Sequence, residues 1–126
     1  MTGLLEGIRV VEVAIYAFVP STGAALADWG ADVIKVEHPE TGDPIRGLSS
    51  YGISPGDGGV TTLWEVFNRG KRSIGIDIRS SEGRELLLSL IDKADVFLTN
   101  FMQPARAKLG IDVEQIMARN PRIIYG

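Results

Sequence analysis

Asn68-Arg69-Gly70-Lys71-Arg72-Ser73-Ile74-Gly75-Ile76-Asp77-Ile78-Arg79 runs a basic turn into a short, Ile-rich strand and ends on a further cation. Ser80 follows as a helix cap, with Glu82 and Glu85 in the first turns beyond it, where acidic side chains suit the positive end of the helix dipole. The segment is therefore turn, strand and helix in succession, the repeating unit of an α/β domain. In an open α/β sheet, ligands sit outside the carboxyl ends of the strands. Arg79 stands at that end and is placed to meet a phosphate, with the amides at the Ser80–Glu82 helix start beside it. Lys71 and Arg72 lie at the opposite end of the same strand, and one compact phosphate cannot contact all three. These two are read as a structural turn or as a contact with another subunit.

Working outward, Ser73–Ile78 is one of five segments that read as buried strands, the others being Ile8–Val13, Asp32–Glu37, Asp95–Thr99 and Arg122–Tyr125. The first two are nearly continuous in apolar character, the mark of a parallel sheet covered on both faces. Helical patterns separate them. Pro20 suits a helix first turn, Ala24, Ala25, Leu26 and Ala27 continue it, and Gly30 stops it after Trp29. Beyond Ser80, Leu86, Leu87, Leu90, Ile91 and Ala94 recur at three- and four-residue spacing as a buried stripe. Asp112 and Gln115 form a capping box for a last helix that ends before Asn120-Pro121. The expected fold is α/β: a Rossmann-like open, mostly parallel sheet with helices on both faces, occupying residues 1–126 as one domain.

Composition narrows the function classes. The absence of cysteine excludes disulfides and thiolate metal sites and fits a reducing, cytoplasmic setting. The start Met1-Thr2-Gly3-Leu4-Leu5-Glu6 lacks the basic and apolar regions of a secretory signal. No run approaches the roughly 20 apolar residues that cross a bilayer, so no membrane partner is expected. The net charge of −3 conceals an asymmetry, with acidic residues dominating through Asp57 and basic ones from Val66 onward. A locally basic half on an acidic chain suits an anionic small molecule better than a nucleic acid.

The first strand-to-helix turn, Ala14-Ile15-Tyr16-Ala17-Phe18-Val19-Pro20, has no glycine until Gly23. A dinucleotide fold needs glycines there for the pyrophosphate to approach the backbone, so NAD or FAD in that mode is not expected. Such a turn lines a channel for an acyl or pantetheine chain, or packs as core beneath a loop; both readings stand. Asn100-Phe101 ends the fourth strand, beside the strand of Arg79 if the order is simple, and pairs an amide with a ring that can bond and stack against a ligand. Arg106 and Lys108 extend the positive potential. His38, the lone histidine, either touches ligand or lies on the surface, and no metal site is expected around it. Glu37 and Glu40 read as solvated or locally paired. The stretch from Pro39 to Thr62, with Gly42, Gly47, Gly52, Gly56, Gly58, Gly59, Pro44 and Pro55, is a long irregular loop, either a lid or a plain excursion.

Together these segments resemble the family III CoA-transferases, which include formyl-CoA and carnitine CoA-transferases and α-methylacyl-CoA racemases. The resemblance rests on Leu5-Glu6-Gly7-Ile8-Arg9-Val10-Val11-Glu12 and on Leu26-Ala27-Asp28-Trp29-Gly30-Ala31-Asp32-Val33-Ile34-Lys35-Val36-Glu37. It continues through Gly42-Asp43-Pro44-Ile45-Arg46-Gly47, Asn68-Arg69-Gly70-Lys71-Arg72-Ser73-Ile74, Glu82-Gly83-Arg84-Glu85-Leu86-Leu87 and Ala94-Asp95-Val96. Asn100-Phe101, Leu109-Gly110 and Asn120-Pro121-Arg122 complete it in order.

The resemblance implies an enzyme that takes coenzyme A or acyl-CoA as substrate together with a carboxylic acid acceptor. It implies CoA contacts at Tyr16, Ala17, Phe18, His38, Ile76, Arg79, Asn100, Phe101 and Lys108. Val19-Pro20 stands where the family has Gly-Pro, and His38 where formyl-CoA transferase has Arg, which favours a larger, apolar acyl group over oxalate or formate. The resemblance further implies a catalytic aspartate beyond Gly126, so that residues 1–126 are a CoA-binding N-terminal segment, inactive alone. Racemases of the family use a downstream His and Asp instead, and α-methylacyl-CoA racemisation is the alternative activity. A non-catalytic CoA-binding module, or one subunit of a split enzyme, is a third expectation. The full-length family forms homodimers, and a partner subunit would complete the short chain.

Overall fold

Along the chain come β1 (Arg9–Val13), α1 (Phe18–Asp28), β2 (Asp32–Glu37), a 3-10 helix (Pro44–Tyr51) and a hairpin of β3 (Gly56–Asp57) and β4 (Val60–Thr61). There follow α2 (Thr62–Asn68), β5 (Arg72–Gly75), α3 (Ser81–Ile91), β6 (Val96–Thr99), α4 (Gln103–Leu109), α5 (Val113–Arg119) and β7 (Ile124–Tyr125). The computed structural model describes residues 3–51, 56–57 and 60–126. Met1 and Thr2, and the loop residues Gly52, Pro55, Gly58 and Gly59, lie outside the described residues.

Five strands form one sheet in the order β5-β2-β1-β6-β7, every pair parallel. The chain steps outward from β1 to β2 and β5, then returns to the other side of β1 with β6. That reversal opens a crevice at the carboxyl ends of β1 and β6, the topological switch point where open α/β sheets take ligands. It also corrects the expectation that the Asn100 strand neighbours the Arg79 strand, because β6 pairs with β1.

The two-residue period of the strands divides the core into two layers. Val10, Val33 and Leu98 point to one face and pack with Leu26 and Ala27 of α1. Val11, Val13, Val36 and Phe97 point to the other, against Leu87 and Ile91 of α3 and Ile116 of α5. Each large side chain fully buried there contributes about 1.5–3 kcal/mol. Leu86, expected in the buried stripe, is instead 59% exposed. Leu87 and Ile91 share one side of α3 at four-residue spacing, and Leu86 falls on the flank.

The helix ends follow the sequence. Ser80 Oγ accepts the Gly83 N–H at 2.9 Å, Asp112 Oδ1 accepts the Gln115 N–H at 3.2 Å, and Gly30 leaves α1 at φ 100°. The third strand is shorter than expected, Arg72–Gly75 rather than Ser73–Ile78. A Cβ at Gly75 would lie 3.1 Å from Pro39 Cα, so the chain after β2 crosses closely here. Ile76 makes one more ladder bond, its N–H donating to Glu37 O at 2.8 Å. Ile76 and Ile78 then turn into the core beside Val36 and Leu87. The supposed irregular stretch after Pro39 holds the 3-10 helix and the hairpin, and α4 covers the segment of Arg106 and Lys108. Among the described residues no helix is long and apolar enough to cross a membrane.

Candidate functional site

A cavity of about 230 Å³ opens at the strand tips. Val13, Ala14 and Ile15 from the end of β1 form one wall, and His38 with Thr41, Gly42 and Asp43 after β2 form a second. Ile76, Asp77, Ile78 and Arg79 after β5 meet Phe101 and Leu109 across it. The inward turn of Ile76 and Ile78 explains how Arg79, beyond the edge strand β5, reaches the same crevice as Phe101, whose strand β6 lies two strands beyond β2.

The first wall is held tightly. Tyr16 has a positive φ of 65°, an unusual conformation for a bulky side chain. Its N–H donates to Asp43 Oδ1 at 3.1 Å. Asn100 brackets the preceding residue, accepting the Ile15 N–H at 3.1 Å and donating to Ile15 O at 2.7 Å. The turn is thereby stitched to the end of β6, closing the switch point from below.

On the opposite side, His38 and Arg79 meet. The backbone amides of Glu40 and Thr41 donate to His38 Nδ1 at 3.3 and 3.4 Å. His38 Nε2 stands 2.8 Å from Arg79 Nη2, a hydrogen bond whose donor and acceptor follow the ring tautomer. An anionic oxygen seated at that point can accept a charge-assisted hydrogen bond from the exposed guanidinium. Asp77 Oδ1 orients the guanidinium, accepting from Arg79 Nε at 3.0 Å and from the Arg79 N–H at 3.1 Å. The Arg79 side-chain and backbone hydrogen bonds hold the Asp77 carboxyl below its usual range.

Beneath α1 lies a buried polar layer that the sequence reading did not find. Glu12, Lys35 and Asp43 are each no more than 2% exposed. Lys35 Nζ donates to Glu12 Oε1 at 3.1 Å and to Ala14 O at 2.9 Å, and stands 2.9 Å from Asp43 Oδ2. Lys71 Nζ reaches Glu12 Oε2 at 2.8 Å, Pro20 O at 2.8 Å and Asn68 Oδ1 at 3.0 Å. Burial pulls the Lys71 ammonium below its ordinary range, against the opposing pull of Glu12. α1 can pass over this layer only because Gly23 lacks a side chain, since a Cβ there would lie 2.0 Å from Glu12 Oε2. Gly23 therefore serves a buried ion pair rather than a pyrophosphate.

Glu37, read as solvated or locally paired, is buried and paired. Its Oε1 accepts from Arg46 Nη2 at 2.8 Å and from Ser73 Oγ at 2.7 Å, and its Oε2 accepts from Arg46 Nε and the Asp43 N–H, both at 2.9 Å. Burial raises its pKa, but the Arg46, Ser73 and Asp43 donors outweigh that and bring it down to about 2. Arg46 in turn lies over the Trp64 ring, 3.3 Å from its centroid. Every carboxylate that lines the cavity is thus engaged: Glu37 with Arg46, Asp43 with Lys35, Asp77 with Arg79. None stands free as a nucleophile. Among the described residues no group of three or more His, Cys, Asp or Glu is placed to hold a metal ion.

Of the residues singled out in the sequence, His38, Ile76, Arg79 and Phe101 line the one cavity. Tyr16 and Phe18 are exposed, 47% and 90%, at the start of α1 with Ala17 between them, outside the cavity lining. Asn100 bonds the backbone of Ile15, and Lys108 is exposed on α4 without an ion pair among the described residues. Lys71 and Arg72 are structural, Arg72 pairing with Asp32 at 2.7 Å. The missed residues are Glu12, Lys35 and Asp43. For Glu12 and Lys35 the signal was a charge inside a strand otherwise apolar, because a buried charge requires a partner; Asp43, in the loop after β2, carried no such signal.

A family model described as CoA-transferase family III matches residues 5–126. The chain is 43% identical over 123 residues to a succinate–glutarate CoA-transferase of Agrobacterium fabrum, covering 96% of this chain and 31% of that protein. It is 38% identical to an (R)-2-hydroxy-4-methylpentanoate CoA-transferase of Clostridioides difficile, covering 97% and 30%. The crystal structure of a CAIB/BAIF family protein from Brucella suis superposes with a TM-score of 0.87 at 42% identity, covering 99% of this chain and 33% of that one. The chain spans about a third of the length of the curated relatives it matches.

Proposed function

The chain belongs to CoA-transferase family III, and from that premise we propose that residues 1–126 form the CoA-binding N-terminal segment of an enzyme that moves CoA between an acyl-CoA and a carboxylic acid. The observation that carries the reading is the exposed Arg79 guanidinium held beside His38 above the strand tips, 2.8 Å from its Nε2. A CoA phosphate placed there takes a charge-assisted hydrogen bond from the guanidinium. Ile15, Ile76 and Phe101 supply an apolar floor beside it, suited to the pantetheine arm. Phe18 and Tyr16, exposed at the start of α1, stand ready to border the thioester and favour an apolar acyl group.

The reaction needs a carboxylate nucleophile, and the cavity's own carboxylates are all bound to cations. An aspartate outside residues 1–126 supplies it on this reading. Its oxygen attacks the thioester carbonyl and releases CoA thiolate, leaving a mixed anhydride. The thiolate then attacks the aspartyl carbonyl, expels the first carboxylic acid and leaves an aspartyl-CoA thioester. The acceptor acid reverses both steps. A second polypeptide, either another copy or a partner subunit, completes the site. The names of the two curated relatives above, both CoA-transferases, support transfer over racemisation.

Calorimetry with CoA, dephospho-CoA and NAD tests the reading. CoA binds, dephospho-CoA binds no tighter, and NAD does not bind. Equal affinity for NAD, or no affinity for CoA, overturns it. Turnover by the 126-residue chain alone would contradict the external nucleophile.

A further inference from the structure

Among the described residues, Tyr16 is the one non-glycine with a left-handed backbone, at φ 65°. Such a conformation persists only where surrounding contacts over-determine it. Asp43 provides the contact at that residue, its Oδ1 accepting the Tyr16 N–H at 3.1 Å and the Ile45 N–H at 3.0 Å. Its Oδ2 faces Lys35 Nζ, which also donates to Ala14 O. Its own N–H is fixed on Glu37 Oε2. One buried carboxylate thus ties two walls of the cavity together, the Ala14–Tyr16 turn and the segment that begins at His38.

We infer that Asp43 is a positioning residue for ligand binding, holding the β1–α1 turn in its left-handed form at a set distance from the His38–Arg79 pair. The inference rests on the CoA reading above. A purely structural role, neutralising buried Lys35, is the rival, and the two are separable. The rival needs the negative charge of Asp43, whereas positioning needs only its acceptor oxygen. In a Lys35→Met background, both Asp43→Asn and Asp43→Ala remove the buried charge pair, but Asn keeps an oxygen for the Tyr16 N–H.

The test compares those two variants by CoA calorimetry and by hydrogen exchange at the Tyr16 amide. The Ala variant binds CoA roughly tenfold more weakly than the Asn variant, and its Tyr16 amide exchanges faster by a similar factor, as loss of one buried acceptor entails. Equal affinities in the two variants overturn the inference. The unaltered chain gives an independent check that needs no variant to fold. Its Tyr16 amide is protected with and without CoA, and exchange at the open-chain rate overturns the inference directly. An unaltered chain that fails to bind CoA removes the functional reading and this inference together, whereas CoA binding with indifferent variants removes the inference alone.

Discussion

Lys71 and Arg79 flank the same short strand, yet they do opposite work. Lys71 points under α1 into a layer where Glu12, Pro20 O and Asn68 all accept from it, and its side chain is 2% exposed. Arg79 stands above the strand tips, 67% exposed, beside the His38 ring. The buried cation has every hydrogen bond met within the protein and holds the fold. The exposed one is open to solvent at a strand tip, where an anionic ligand can reach it. Charge type in the sequence is the same at both ends; solvent access separates them.

The largest effect that could break this contrast is Lys71→Met. Removing one partner from a buried pair leaves Glu12 facing only Lys35, and the expected loss is about 3–5 kcal/mol of folding stability by urea denaturation. An unchanged midpoint would mean that the layer is solvated. Next comes acid. The Glu37 carboxyl is held at about 2 in the folded chain against an ordinary 4.5, so its contribution is complete above about pH 4.5 and is lost as pH falls toward 2. That contribution is about 3 kcal/mol at most. Glu37→Gln flattens the acid limb of the stability curve by that amount if Arg46 and Ser73 hold the carboxylate as described.

Gly23→Ala sharpens the comparison from the helix side. The added Cβ meets Glu12 Oε2 at 2.0 Å, and displacing a carboxylate pinned by two lysines costs about 1–3 kcal/mol. A neutral substitution would show that α1 can lift away from the layer. The smallest expected effect is at Arg79. Arg79→Ala weakens CoA binding by roughly tenfold, as loss of a charge-assisted contact does, and leaves the denaturation midpoint where it was. Equal CoA affinity under matched salt conditions ends the phosphate role.

Much of the scaffold was legible because its signals are local. The apolar runs at Val10-Val11 and Val33-Ile34 marked parallel strands, and Ser80 and Asp112 marked helix starts within three residues of the groups they cap. The third strand was read too long because Ile76 and Ile78 are as apolar as a strand residue must be. Their burial in the core, and the approach of Pro39 to Gly75, come from elsewhere in the chain. At the site, Arg79 and Phe101 were read from position at strand ends, and His38 and Ile76 were given as ligand contacts by the family resemblance; the structure places all four around one cavity. Asn100 was read as a ligand contact, and the structure gives both ends of its amide to Ile15.

The sequence by itself determined an α/β chain of parallel strands, the caps of its helices, and a cation at a strand's carboxyl end. Those features depend on periodicity and on neighbours a few residues apart. Only the tertiary structure decided that β6 returns beside β1, that Glu12 finds Lys71 across 59 residues, and that Asp43 reaches Tyr16. Pairing of distant charges is set by sheet order and by the excluded volume around Gly23, and no local pattern encodes either.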